Sequence, residues 1–289
     1  PRAAAMPLDK PPSRRHRVLY SLLAAAQYNP LGLQGDLRLL YRYRLLDHPS
    51  PLLNDTFVGG GLITRQTPAY ARIGAMVELQ PLTVLTLRAI YEYRSYFRTF
   101  GMVQSFASPN AEHDNDTRSR LADEGRHYAA KGHQVMLQAV VRAKVGPVAV
   151  LNETELHYFD LGLRPGDSVF YEAYFDALAP GHGSTVVNNA HLLYLTDFGL
   201  IAGLRYTVVA PLYSDEMQAR SEVTQTPSHR VGPLAGYTFA GRGPLFRAPT
   251  LVVFLNWWLR SRYRAGQTVH QAVPYGVVAF QVSGDLWGR

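Results

Sequence analysis

The chain has 289 residues, a length that suits one large barrel or two ordinary domains. It has no run of about eighteen apolar residues and no cysteine, which excludes a helical membrane span, a disulfide and a thiolate metal site. The formal net charge of +7 would ordinarily indicate nucleic acid or an anionic membrane as a partner. No signal peptide is recognisable and the chain starts at Pro1, so we expect a processed or truncated precursor.

The N-terminal segment is predicted to lie outside the main fold. Residues 1–12 are polar and rich in proline, and we expect them to be disordered or extended. Residues 13–27 fit either a short helix, which Ser13 would cap, or a strand. The helix is supported by apolar residues at helical spacing, namely Val18, Leu19, Leu22, Leu23 and Ala26.

Residues 37–46 alternate between apolar or aromatic side chains and arginines. One parity carries Leu37, Leu39, Tyr41, Tyr43 and Leu45, and the other carries Arg38, Arg42 and Arg44, preceded by Asp36. Successive side chains of a β-strand point to opposite faces. The segment therefore predicts a strand with one apolar face and one charged face.

The same alternation recurs in four later segments, over residues 71–79, 85–94, 134–144 and 251–262. These strands are about ten to fourteen residues long, whereas strands usually average about five or six. That length crosses a bilayer at a tilt of about 45°. An apolar outer band with a polar interior predicts an all-β fold, a transmembrane antiparallel up-and-down β-barrel.

Glycine and proline mark compact turns, and polar links separate the remaining strands. The turns are 29–32, 80–83, 145–147, 196–199 and 241–244, and the links are 47–68, 98–130, 160–185, 214–228 and 264–272. Short periplasmic turns and long extracellular loops then predict about ten strands. They are roughly 33–46, 69–80, 84–97, 131–145, 148–159, 186–196, 199–213, 229–240, 249–263 and 273–287.

The ten-strand arrangement divides the chain into a periplasmic extension with a short helix, residues 1–32, and a barrel, residues 33–289. If residues 17–28 form a strand instead, about twelve strands result. The candidates for the extra strand are 56–65 and 168–177, which we otherwise interpret as β-structure of the outer loops. Within 148–159, two glutamates share a parity with apolar residues, which predicts a bulge.

The last strand resembles the C-terminal insertion signal of bacterial outer-membrane barrels. Its apolar residues Val278, Phe280, Val282 and Leu286 alternate with polar ones, and Trp287 lies near the end, although the chain ends in Gly288 and Arg289. The resemblance covers most of residues 33–287 and concerns architecture. It implies a location in the outer membrane, with lipids including lipopolysaccharide and other envelope proteins as partners, and neither a cofactor nor a nucleic acid.

The charged residues at inward-facing strand positions are predicted to form a network in the lumen, in which Arg72 faces Glu92 and Glu78 lies near Arg88. Such cross-strand pairs contribute roughly 0.2–1 kcal/mol each. The network is either self-paired and solvated or forms an anion-selective constriction. Its members are Asp36, Arg38, Arg42, Arg44, Arg72, Glu78, Arg88, Glu92, Arg94, Arg142, Lys144, Arg205, Arg260 and Arg262.

Aromatic residues are predicted to lie at the two membrane interfaces, because amphipathic rings favour headgroup depth. They are Tyr41, Tyr43, Tyr91, Tyr93, Tyr96, Tyr206, Tyr237, Trp257 and Trp287. The link 98–130 and its edge also hold histidines and acids that fit a cation site or an acid–base pair: His113, Asp114, Asp116, Asp123, His127 and His133. A solvated loop explains them better, so no catalytic or metal site is predicted.

Three functions remain open at this point. The first hypothesis is a closed or narrow barrel that acts as a scaffold in a motility, secretion or attachment assembly of the envelope. The alternative is an anion-selective channel for small solutes. The third is a surface enzyme with the architecture of omptin-type proteases, which rests on strand number alone.

Overall fold

Long strands dominate this computed structural model, which describes residues 14–97, 103–219, 227–264 and 273–288. Its strands are β1 (His16–Tyr28), β2 (Gly32–Arg44), β3 (Phe57–Gln66), β4 (Tyr70–Leu82), β5 (Leu85–Tyr96), β6 (Ser105–Phe106), β7 (Lys131–Val145), β8 (Val148–Leu161), β9 (Val169–Glu172), β10 (Ala177–Pro180), β11 (His182–Leu195), β12 (Leu200–Leu212), β13 (Ser228–Thr238), β14 (Arg247–Arg260) and β15 (Tyr275–Gly288). The helices are α1 (Asn115–Asp123) and α2 (Asp215–Ala219). Neither of these two helices has the length and apolar character needed to cross a membrane.

Twelve of the described strands close an antiparallel barrel in the order β1-β15-β14-β13-β12-β11-β8-β7-β5-β4-β3-β2. The predicted fold is therefore confirmed, and the alternative of twelve strands replaces the expected ten. The two additional strands are β1 and β3. Each of the twelve strands pairs with a neighbour on both sides, so the barrel leaves no open sheet edge in the membrane.

The helix predicted within residues 13–28 is wrong, and the barrel begins at His16 instead of residue 33. Strand β1 pairs with β2 on one side and with β15 on the other, so it is the strand that closes the barrel. Residues 1–13, the rest of the predicted extension, lie outside the described part of the chain.

Strand β3 overlaps residues 56–65, which the sequence offers as a candidate extra strand or as β-structure of an outer loop, and it contains three successive glycines. These glycines allow the neighbouring strand to approach closely. A Cβ atom at Gly61 would lie 1.9 Å from the carbonyl oxygen of Leu39, so a larger residue would force β2 and β3 apart. The glycine run thus belongs to a tightly paired barrel strand.

The first strand starts and the last strand ends at the same end of the barrel, which we call the terminus end. The connections there are 45–56, 83–84, 146–147, 196–199 and 239–246. The opposite end, here the loop end, carries 29–31, 67–69, 97–130, 162–181, 213–227 and 261–274. The turn near residue 30 was predicted on the periplasmic side, but the extra strand β1 places it at the loop end.

Strand β8 runs without the predicted bulge. Its pairing with β7 is continuous from Gly132 opposite Leu161 to Val145 opposite Val148. Ala149 and Leu151 therefore face the lumen together with Glu153 and Glu155. The lumen-facing side of this strand therefore includes apolar residues, so inward-facing positions are not exclusively polar.

A small three-stranded sheet, β10-β9-β6, folds into the loop end. The β-structure predicted at residues 168–177 is thus present, but it packs inside the barrel mouth. Phe170 and Phe175 from this sheet and its turn contact lumen-facing Phe159, with ring centroids 5.4 and 6.3 Å away. We call residues 169–180 the inner hairpin, because it narrows the barrel from the loop end.

Candidate functional site

A band of exposed apolar side chains surrounds the barrel. It includes Leu62, Ile73, Val77, Leu137, Leu192, Leu204, Val253 and Val278, which all point away from the lumen. A continuous apolar surface of this kind is stable against hydrocarbon but not against water. The protein is a transmembrane β-barrel. In barrels of this type the long loops are extracellular, and the four longest connections between barrel strands lie at the loop end, which assigns the terminus end to the periplasm.

The predicted interfacial aromatics lie on this outer surface with one exception. Tyr96 is 4% exposed and points into the lumen, where its hydroxyl accepts a hydrogen bond from Arg94 at 2.6 Å. Its even number gives it the parity of Arg94, so the alternation itself indicates the inward side. Of the others, Tyr41, Tyr43, Tyr237 and Trp287 lie toward the terminus end, and Tyr91, Tyr93, Tyr206 and Trp257 lie in the loop half.

Near the terminus end, one carboxylate contacts two arginines. Glu78 is buried and accepts hydrogen bonds from Arg42, and its Oε2 lies 3.4 Å from Arg88 Nε. Arg88 also donates to Gln138 at 2.7 Å, and Gln138 donates to Glu155 at 2.8 Å. This chain of contacts links β2, β4, β5, β7 and β8 along one wall of the lumen.

A second group lies nearer the loop end. Arg65 Nε is 3.6 Å from Asp36 and 3.3 Å from Glu92, and Arg72 Nη1 is 3.8 Å from Glu92. Arg65 is absent from the predicted network, because the sequence pattern assigns residues 56–65 to an outer loop. The predicted register was also shifted by two residues. Arg72 lies opposite Arg94, so its contact with Glu92 is diagonal.

Three of the predicted lumen residues lie elsewhere. Lys144 is exposed at the terminus end, where Arg44 keeps its inward parity and pairs with exposed Asp47 at 3.1 Å. A register shift places Arg260 opposite outward-facing His229, so it lies on the outer surface. Arg262 lies beyond β14 and donates to the carbonyl oxygen of Asn110 at 2.7 Å. The register shift could not be read from the alternation.

Asp114 and His113 stabilise the link 97–130, whereas Asp116 and Asp123 are exposed. Asp114 caps α1 by accepting from the Thr117 amide at 2.6 Å. His113 packs edge-on against Tyr263, and burial lowers its pKa to about 4. His133 lies outside the barrel, 2.7 Å from the Tyr91 hydroxyl. Within the described ranges, no three histidine, aspartate or glutamate side chains come close enough together to hold a metal ion.

A cavity of about 1010 Å³ opens inside the loop half of the barrel. It extends from Arg38 and Gln138, near the middle of their strands, to the turn at residues 67–69. Arg205 and Arg230 border it from β12 and β13, which lie across the barrel from β2. None of the ion pairs in the described part of the chain involves any of these three arginines.

Replacing Arg88 by leucine is expected to destabilise the barrel by about 1–3 kcal/mol, because Glu78 and Gln138 each lose a hydrogen-bond donor. Denaturant unfolding in detergent micelles measures this loss. Lys144→Leu is the control, since it removes an exposed cation at the same end. Equal stability of the two variants would contradict a structural role for the Glu78 network.

Comparison with known proteins finds likeness in structure alone. No protein-family model and no curated protein matches the sequence. Among solved structures, OccAB1 of Acinetobacter baumannii is 11% identical with a TM-score of 0.41, covering 88% of this chain and 58% of that one. A complex of Salmonella typhi OmpF with daunomycin is 9% identical (94% and 98% covered, TM-score 0.37). The outer membrane protein OprD from Pseudomonas aeruginosa is 9% identical (94% and 94%, TM-score 0.32).

Proposed function

We propose that the protein is a narrow channel of the bacterial outer membrane that favours small anionic solutes. The observation that carries this proposal is a set of three arginines around one cavity, Arg38, Arg205 and Arg230, that form no ion pair within the described part of the chain. Positive side chains that line a pore attract anions and repel cations. The surrounding wall has a low dielectric constant, which strengthens this selection.

Cations outnumber carboxylates among the residues that line this cavity. Asp36, Glu153 and Glu155 face five arginines, namely Arg38, Arg65, Arg118, Arg205 and Arg230. Asp36 lies 3.6 Å from Arg65, and Glu153 interacts electrostatically with Arg205. The arginines near Glu78 and Glu92 are likewise engaged. Positive charge therefore exceeds negative charge where a solute would pass.

Replacing Arg38, Arg205 and Arg230 together by glutamine is expected to remove anion selectivity. Reversal potentials across a potassium chloride gradient in planar bilayers measure this directly. The unaltered channel should favour chloride, and the variant should pass both ions nearly equally. Glutamine keeps the size and hydrogen-bonding capacity of the side chains, so the change isolates charge.

The matched control replaces Arg120, Arg126 and Lys131 by glutamine. These three residues are exposed at the loop end and carry the same total charge. Selectivity that falls equally in both variants would contradict a role for the cavity. A wild-type barrel without any current would overturn the channel and favour the scaffold, which co-purification from native membranes would test. The expected partners and the absence of enzymatic activity stay predictions.

A further inference from the structure

The cavity wall formed by β12 to β15 combines two guanidinium groups with an aromatic surface. Arg230 is 6% exposed, and its Nε and Nη1 have no hydrogen-bond partner. Its guanidinium lies 4.1 Å from the centre of the Tyr275 ring. The carbon atom of the Arg205 guanidinium lies 4.5 Å from the centre of the Phe254 ring. Each arginine is thus held against an aromatic side chain.

The two arginines are neighbours across one strand pair. Arg205 lies opposite Gly232, and Arg230 lies opposite Thr207, so the arginines sit diagonally on adjacent strands. Arg205 is fixed further by a hydrogen bond of 2.7 Å to Asn189. A buried guanidinium without an acceptor is costly, and a carboxylate or phosphate oxygen would satisfy it with a charge-assisted bond.

The rest of the wall is apolar. Phe254, Tyr275 and Val277 line it from the barrel, and Phe175 lines it from the inner hairpin. A simple inorganic anion would leave these surfaces in contact with water. An anion that carries an apolar body would cover them and so gain hydrophobic free energy in addition to the charge-assisted bonds.

We infer that the cavity is a binding site for a small organic anion with an apolar, ring-like body. Its carboxylate or phosphate group binds at Arg230 and Arg205, and its body packs against Phe254, Tyr275 and Phe175. The inference rests on the proposed function, because the solute reaches the site through the same anion-selective passage. It deepens that function by naming the class of solute.

Calorimetric titration of the detergent-solubilised chain tests the site with four probes. Benzoate and phenyl phosphate carry both features, whereas acetate has only the charge and benzyl alcohol only the ring. We expect saturable binding of benzoate or phenyl phosphate, about tenfold or more tighter than that of acetate or benzyl alcohol. Whichever of the first two binds tighter identifies the anionic group. Equal binding of benzoate and acetate would overturn the inference.

Arg230→Gln is expected to weaken benzoate or phenyl phosphate binding about tenfold or more, because a charge-assisted hydrogen bond is lost. Arg120→Gln should leave binding unchanged. The comparison of probes uses the unaltered chain, so it remains decisive if the variant fails to fold. An anion-selective current without preferential benzoate or phenyl phosphate binding would overturn this site and leave the channel intact. Preferential binding without a current would support the site and contradict the channel.

Discussion

Replacing Glu92 by glutamine is expected to cost the barrel about 3–5 kcal/mol of unfolding free energy, the usual effect of leaving a buried charge unpaired. Glu92 is 0% exposed and lies between Arg65 and Arg72, at 3.3 and 3.8 Å. Glutamine keeps the shape of the side chain but removes the carboxylate that pairs with buried Arg72, whereas Arg65 keeps Asp36 at 3.6 Å. Urea unfolding in lipid vesicles, followed by tryptophan fluorescence, measures the difference.

Two further variants show whether the unpaired charge is the cause. Glu124→Gln removes a carboxylate from an exposed pair on α1, and should cost no more than about 1 kcal/mol. Adding Arg72→Met to Glu92→Gln removes the cation that lost its counter-ion and should restore part of the lost stability. Equal stabilities of Glu92→Gln and Glu124→Gln would contradict the account, as would a further loss in the double variant.

The sequence pattern predicts those strands in which one face is apolar and the other is polar. Strands β2, β4, β5 and β7 alternate between apolar and polar side chains, and the structure places them as expected. Strand β1 has apolar residues on both parities around the alanines 24–26, so helical and extended interpretations fit equally well. In β3 the glycines removed the signal, because a residue without a side chain indicates no face.

The lumen was harder to predict than the outer surface. Hydrocarbon imposes one requirement on all outward residues, whereas the lumen mixes ion pairs, apolar contacts and open space. Alternation identified the inward arginines of β2, β4 and β5, but it could not identify their partners. The contact between Arg94 and Glu172 joins residues 78 positions apart, and depends on how the inner hairpin folds into the barrel.

Glu172→Gln is expected to release the inner hairpin from the loop end. Glu172 is 1% exposed and forms an ion pair with Arg94, and its Oε2 accepts from the Tyr96 hydroxyl at 3.2 Å. Losing this carboxylate leaves Arg94 buried without its counter-ion, at a cost of about 3–5 kcal/mol to the anchored state. Because the hairpin narrows the barrel mouth, the variant should conduct more than the unaltered channel in planar bilayers.

Limited proteolysis with chymotrypsin reports the same release without requiring a current. The hairpin carries buried Phe170, Tyr171 and Phe175, which become cleavable when it leaves the lumen. Asp167→Asn is the control, since it removes a carboxylate just before β9, outside the Arg94 contact. Rapid cleavage of both variants would show that the Arg94 contact is not the specific anchor.

Acidification should increase the conductance of the unaltered channel, as the substitution Glu172→Gln does. Burial alone would raise the pKa of Glu172, but the nearby guanidinium groups of Arg94 and Arg72 outweigh it and hold that pKa below its usual value. A carboxylate with a lowered pKa stabilises the folded state above the ordinary glutamate pKa, and this contribution is lost as pH falls through the lowered value. Conductance should therefore rise on acidification in the unaltered channel and change less in Glu172→Gln, whose hairpin is already free. An equal response of both channels to acid would place the titrating group elsewhere.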